Sequence, residues 1–212
     1  MVGECNRLGI MIDVSHMSDQ SFYDVLELSR TPIFASHSSV RSLCDHPRNL
    51  SDDMISALAE KGGVIQICFV SSFLKKEKPN PERDQALGEL RKKFEALGDS
   101  EDEGVRDTMY AEYRAVMEKY PSEPATVKDL VDHVDYVVKL VGAEHVGLGT
   151  DFDGGGSIEG CSDVSEMPNI TRELILRGYS KEDIRKIWGG NVMRLLQKTI
   201  EISGDIKTSW QN

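Results

Sequence analysis

Four short apolar runs constrain this chain more than any other feature: IMID at 10–13, PIFAS at 32–36, GVIQICF at 63–69 and HVGLGT at 145–150. None alternates cleanly with polar residues, the pattern of strands buried on both faces. A helical pattern follows each run. Ser18 can cap a helix to about Ser29, and Ser51 can cap DDMISALAEKG, with Asp52 and Asp53 at the positive end of the helix dipole. Between 126 and 142, Val127, Leu130, Val131, Val134, Val137, Val138 and Val141 recur with the 3.6-residue period. The stretch from Ser180 to Glu201 opens with an acidic capping-box variant, Ser180-x-x-Asp183, and is expected to break at Gly189-Gly190. Strand and helix alternate, so the expected fold is α/β with a parallel sheet.

One segment interrupts this order. From about 75 to 124 the chain is highly charged and carries two helical patches, PERDQALGELRKKFEALG and EGVRDTMYAEYRAVMEKY. It reads as a solvated helical insertion, with a lid or dimer contact as the sharper alternative. The remainder suits one globular domain or a large part of one: 212 residues, 39% hydrophobic and 29% charged. Residues 1–9 read as the end of a helix stopped by Gly9, running straight into a strand with no signal-peptide layout. A domain rarely begins inside an αβ unit, so the natural domain is expected to start upstream of Met1.

Charge and hydropathy exclude several functions. The net charge is -11, and no basic block rises above it, which argues against nucleic acid or an anionic membrane as a partner. No apolar stretch reaches the roughly 18 residues needed to span a bilayer. Cys5, Cys44, Cys68 and Cys161 are widely spaced and form no C-x-x-C, so they read as thiols in a core and slightly favour a cytoplasmic, reducing compartment. A leader lost with an upstream segment would leave that compartment unknown.

The residues that could do chemistry sit at the strand ends. His16, His37 and Asp151 fall at or just past the C-terminal ends of predicted strands, the edge of a parallel sheet where ligands gather. Neighbouring strands lie about 4.8 Å apart, so two imidazoles from successive strand ends can share one metal ion. Ser15, Ser36, Ser38 and Asp153 are candidates for the surrounding hydrogen bonds that orient such ligands. In GLGTDFDGGGS, Asp151 is a candidate proton carrier or ammonium binder; the spacing fails as a calcium loop, with Gly155 and Ser162 where acids are required. Arg48, in the loop after the His37 strand, is suited to a substrate carboxylate. His46, His133 and His145 read as structural or solvated.

These stretches carry a family resemblance. LGIMIDVSHMSD, PIFASHSSVRSLCDHPRNLSDDMI, HVDYVVKLVGAEHVGLGTDFDGG and GYSKEDIRKIWGGNVMRLL resemble, in order and spacing, the C-terminal part of the membrane (renal) dipeptidase family, the M19 metallopeptidases. The resemblance implies a (β/α)8 barrel with a binuclear zinc site that hydrolyses dipeptides, including those with a C-terminal D-residue. His16 and His37 would then be ligands of one zinc. Arg48 would bind the substrate carboxylate, and Asp151 would contact the free amino group or carry the proton to the leaving amine.

In the family, the H-x-D metal pair on the first strand, the bridging glutamate and a further substrate-binding histidine lie upstream, and no counterpart, H-x-D included, is expected here. The expected fold is therefore the C-terminal half of a (β/α)8 barrel: about four parallel strands with helices, residues 1–212 forming one partial domain with 75–124 inserted in it. Such a chain has protein ligands for at most one of two zincs. It is expected to be inactive alone and to pair with the missing N-terminal half or with a second copy. A non-catalytic half-barrel dimer or binding module, and another barrel amidohydrolase acting on cyclic amides, are the alternatives.

Overall fold

The computed structural model describes residues 1–95 and 103–209. They divide into two compact units, one formed by Met1–Lys76 with the chain from Pro124 onward, the other by Glu77–Glu123.

The first unit is an α/β layer built in chain order. Helix α1 (Val2–Leu8) stops at Gly9, whose φ of 78° is left-handed, and leads into strand β1 (Ile12–Asp13). Then come α2 (Asp19–Leu28), β2 (Ile33–Ser38), α3 (Asp52–Glu60), β3 (Val64–Cys68) and the single-turn α4 (Ser71–Leu74). The second unit holds α5 (Pro81–Glu95) and α6 (Glu103–Lys119). The predicted first patch runs on to Gly98, and its last residues lie outside the described ones. The first unit resumes with α7 (Val127–Val141), β4 (Val146–Gly149), α8 (Pro168–Leu176), α9 (Lys181–Arg185) and α10 (Asn191–Ser209). A π-helical turn at Lys186–Gly190 separates α9 from α10, where the glycine pair predicted a break.

The four strands form one parallel sheet in the order β1-β2-β3-β4. Serine caps start three helices: the Ser18, Ser51 and Ser180 side chains accept from the amides of Ser21, Met54 and Asp183. A reciprocal capping box occurs at Thr126 and Asp129, and not at Ser180, where only the serine half bonds backbone.

The core lies on one face of the sheet. Ile12, Val14, Ile33, Ala35, Ile65, Ile67 and Val146 are buried there against Phe22, Leu26, Met54, Ile55, Leu58, Leu130, Val134 and Val137 of the helices. The alternating positions Asp13, Phe34, Ser36, Gln66 and Gly149 are only partly buried. Helices cover the first face; the other carries Asp13, Ser36, Gln66 and Gly149 together with Phe34 and the fully buried Val64 and Cys68.

Two irregularities place the site. Strand β1 has only two residues, because the amide of Ser36 bonds Asp13 Oδ1 at 3.0 Å, a side chain, where a longer strand would offer a carbonyl. Strand β2 then bulges: Ala35 pairs with Ile65 but Ser38 with Ile67, so Ser36 and His37 together face one residue of β3, Gln66.

Candidate active site

His16 is presented by a turn that Asp13 builds. Asp13 Oδ1 accepts the amide of Ser15 at 2.9 Å, an Asx-type turn, and His16 follows with φ 70°. The other non-glycine residue with positive φ among the described residues is Asp151, at 52°. A backbone in this sparsely occupied region is held there by its surroundings and points to a functional constraint. Both residues lie just past strand ends on one edge of the sheet.

His37 comes to the same edge from the bulge. Its Nε2 lies 2.9 Å from Nε2 of His16, with ring centroids 4.9 Å apart. The remaining groups of His37 are held on every side. Nδ1 meets Ser36 Oγ at 2.6 Å, its amide donates to Ser15 Oγ at 3.0 Å, and its carbonyl accepts from Arg48 Nη2 at 3.3 Å. Ser36 Oγ in turn donates to Asp13 Oδ2 at 2.5 Å. Ser38 is buried, 3.4 Å from Ser15 through their hydroxyls. Partial desolvation, then the positive charge of Arg48, and then electrostatic coupling to the His37 ring hold the His16 imidazole below its ordinary value. It is therefore neutral near pH 7, the form that binds metals.

Arg48 is carried by a loop pinned through Asn49. That buried amide donates to the carbonyls of Cys44 and Phe73 at 2.8 Å each and accepts the amide of Ser39 at 3.1 Å. The Arg48 guanidinium lies 5.3 Å over the Phe73 ring, and its buried Nε has no protein partner among the described residues. An orphaned guanidinium donor at a polar edge is available to an anionic ligand.

Asp151 sits on the loop after β4. Its carbonyl accepts the amides of Gly154 at 3.0 Å and Gly156 at 2.7 Å, folding the glycine run back on the aspartate. A Cβ at Gly154 would lie 2.2 Å from Asp151 Oδ1, so only glycine leaves room for that carboxylate. Arg48 acts on the His16 imidazole to lower its value, and Asp151 and Asp13 to raise it. Burial pushes the Cys68 thiol up to about 11, so it stays protonated and inert as a nucleophile. Asp153 is not part of this group: it is exposed and makes no hydrogen bond or ion pair with the described residues.

The other histidines have structural partners. Buried His133 accepts the amide of Val40 on Nδ1 and bonds the Leu74 carbonyl through Nε2, both at 3.0 Å. The letters H-x-D do occur at His133-Val134-Asp135, but inside α7, with Asp135 bonded to Arg177 and Tyr179. His145 bonds the Gly63 carbonyl at 2.9 Å, and His46 packs on Phe73.

Sequence reasoning named the histidine pair but passed over Asp13, Asn49 and Gly149. Asp13 was visible as the first polar residue closing an apolar run. Gly149 was hidden, because its reason is spatial: a Cβ there would lie 2.0 Å from the carbonyl oxygen of Ser36 in the bulge.

A model of the family described as membrane dipeptidase, peptidase family M19, matches residues 1–209. This chain belongs to peptidase family M19. It is 32% identical over 208 residues to the dipeptidase tcpJ of Claviceps purpurea, covering 98% of this chain and 39% of that relative. The crystal structure of the probable dipeptidase PvdM of Pseudomonas aeruginosa superposes with a TM-score of 0.79 at 39% identity, covering 95% of this chain and 53% of that one. A metallo peptidase of Rhodobacter sphaeroides, solved with a phosphinate mimic of the dipeptide L-Ala-D-Ala, has a TM-score of 0.70 at 28% identity, over 93% of this chain and 45% of that one. The M19 chain described here thus spans about two fifths to one half of the relatives it matches. Its four parallel strands with flanking helices are the α/β architecture that the pattern of runs predicted.

The residues at the site suit a metal, which the metallopeptidase class implies. Two imidazole nitrogens held about 2.0–2.1 Å from one zinc at the tetrahedral angle would lie roughly 3.3 Å apart. The observed 2.9 Å is within a few tenths of an ångström of that spacing. Among the described residues, no group of three or more His, Cys, Asp or Glu converges to complete a site.

Proposed function

We propose that this protein is a zinc-dependent dipeptidase and that His16 and His37 are two of its zinc ligands. The observation that carries this reading is the pair of Nε2 atoms 2.9 Å apart at the C-terminal sheet edge, with an arginine whose buried Nε has no partner among the described residues and an aspartate of positive φ at the same edge. A zinc bound there would supply Lewis-acid polarisation of the scissile carbonyl. Arg48 binds the C-terminal carboxylate of the dipeptide through its free guanidinium donors. Asp151 holds the free amino group or passes a proton to the leaving amine. Ser15, Ser36 and Ser38 orient the two imidazoles.

The substrate class includes dipeptides with a C-terminal D-residue. The solved Rhodobacter relative, which holds a mimic of L-Ala-D-Ala, supports this. A catalytic zinc takes about three protein ligands, and these residues offer two. The remaining ligands, including those for a second zinc, come from outside these 212 residues, in a longer chain or a partner. The 212 residues alone are accordingly inactive. They act as one partial barrel domain, with the 75–124 segment inserted in it.

The test is zinc content measured together with hydrolysis of Gly-D-Ala, for the 212-residue chain and for the chain completed by the relatives' N-terminal half. Zinc and turnover in the completed protein alone are expected. Turnover by neither would overturn the dipeptidase reading. In the completed protein, H16A and H37A should each lose zinc. R48A should raise KM for dipeptides on the order of 10–100-fold, the loss of a charged hydrogen-bonded pair. An unchanged KM removes Arg48 from the carboxylate role.

A further inference from the structure

We propose that Asp13 is a positioning residue that, through the Ser36 hydroxyl, keeps the His37 ring hydrogen on Nδ1 and so leaves the Nε2 lone pair free for a metal. The geometry stands on its own; its consequence rests on the zinc-dipeptidase reading above.

The argument is a hydrogen count. Ser36 Oγ lies 2.5 Å from Asp13 Oδ2 and 2.6 Å from His37 Nδ1. A hydroxyl has one hydrogen to give and two lone pairs to receive with. Asp13, as a carboxylate, only accepts, so the Ser36 hydrogen goes to it. His37 Nδ1 must then be the donor, since two bare lone pairs at 2.6 Å repel. A neutral imidazole carries one N–H, and with that hydrogen on Nδ1 the Nε2 atom is bare. This is the atom that faces His16 Nε2.

The same carboxylate also accepts the amides of Ser15 and Ser36. One side chain therefore shapes the turn that presents His16 and sets the tautomer of His37. The bulge makes this possible, because it places Ser36 and His37 side by side where a regular strand would send them to opposite faces.

The experiment is nitrogen NMR of 15N-histidine-labelled protein, metal-free, at about pH 8 where imidazoles are neutral. It is paired with zinc affinity, measured by competition with a chelating dye on the same variants of the chain completed by the relatives' N-terminal half. The wild-type His37 is expected as the Nδ1–H tautomer. In D13N the carboxamide can donate to Ser36 Oγ, whose hydrogen then turns to His37 Nδ1. The tautomer should reverse to Nε2–H, and zinc affinity should fall on the order of 10–100-fold. S36A should give mixed tautomers and a similar loss, while S36T restores both. Should D13N fail to fold, the S36A and S36T pair carries the test. An Nε2–H tautomer in the wild type overturns the proposal, as do D13N and S36A proteins with unchanged tautomer and zinc affinity. A wild type with the Nδ1–H tautomer that takes up no zinc supports the relay and overturns the metal reading, which separates the two failures.

Discussion

The sheet unit and the Glu77–Glu123 unit use different physics. The sheet unit buries Phe22, Ile33, Ile55, Leu58, Ile65, Ile67, Leu130 and Val134 at no more than 1% exposure. In the other unit, the one buried side chain among the described residues of α5 and α6 is Arg83, which pairs with Glu77. Its two helices are joined by Lys93 and Glu112 at 2.5 Å, and Met109, Tyr110 and Tyr113 are exposed. Burial of a large aliphatic side chain stabilises by about 1.5–3 kcal/mol, while exposed ion pairs contribute a few tenths to about 1 kcal/mol. The unit that positions the candidate site is thus held by dry packing, which fixes distances. The charged unit is held by contacts that salt can screen.

Three substitutions sharpen or break this contrast. Ile65→Ala, in the centre of β3, should destabilise the sheet unit by about 2–5 kcal/mol in denaturant titration. A cost below about 1 kcal/mol would mean that the core is far looser than its burial implies. Thr126→Ala removes the side chain of the α7 capping box and should cost about 0.5–2 kcal/mol. Lys93→Ala should cost no more than about 0.2–1 kcal/mol, and the loss should vanish at about 1 M salt, where the screening length is near 3 Å. A larger, salt-insensitive loss would show apolar packing in the charged unit.

The same contrast explains what the sequence made legible. Capping serines, a 3.6-residue period and unbroken apolar runs are local signals, and Ser18, Ser51, Val127 and Val134 carry them directly. The histidines were visible because each closes an apolar run. The network behind them was not, since it joins Asp13 to Ser36 across 23 positions and Asn49 to Phe73 across 24. The β2 bulge was invisible because an unbroken apolar run such as PIFAS carries no alternation for an extra residue to interrupt. The capping box was expected at Ser180 and lies at Thr126 because an aspartate three positions on is necessary for the reciprocal bond but does not compel it. Asp183 takes the Ser180 hydroxyl instead, at 2.6 Å.

The bulge has a consequence for how this edge tolerates change. An uninterrupted ladder between Ala35 and Ser38 would have one position where the protein has two. Deleting a single residue there would yield a more regular strand, with every amide in register. It would also remove Ser36 or His37 itself, and with it the Asp13–Ser36–His37 contacts. Regularity and the site compete for the same residue, so a sequence selected only for the stability of this sheet would drift away from the histidine pair.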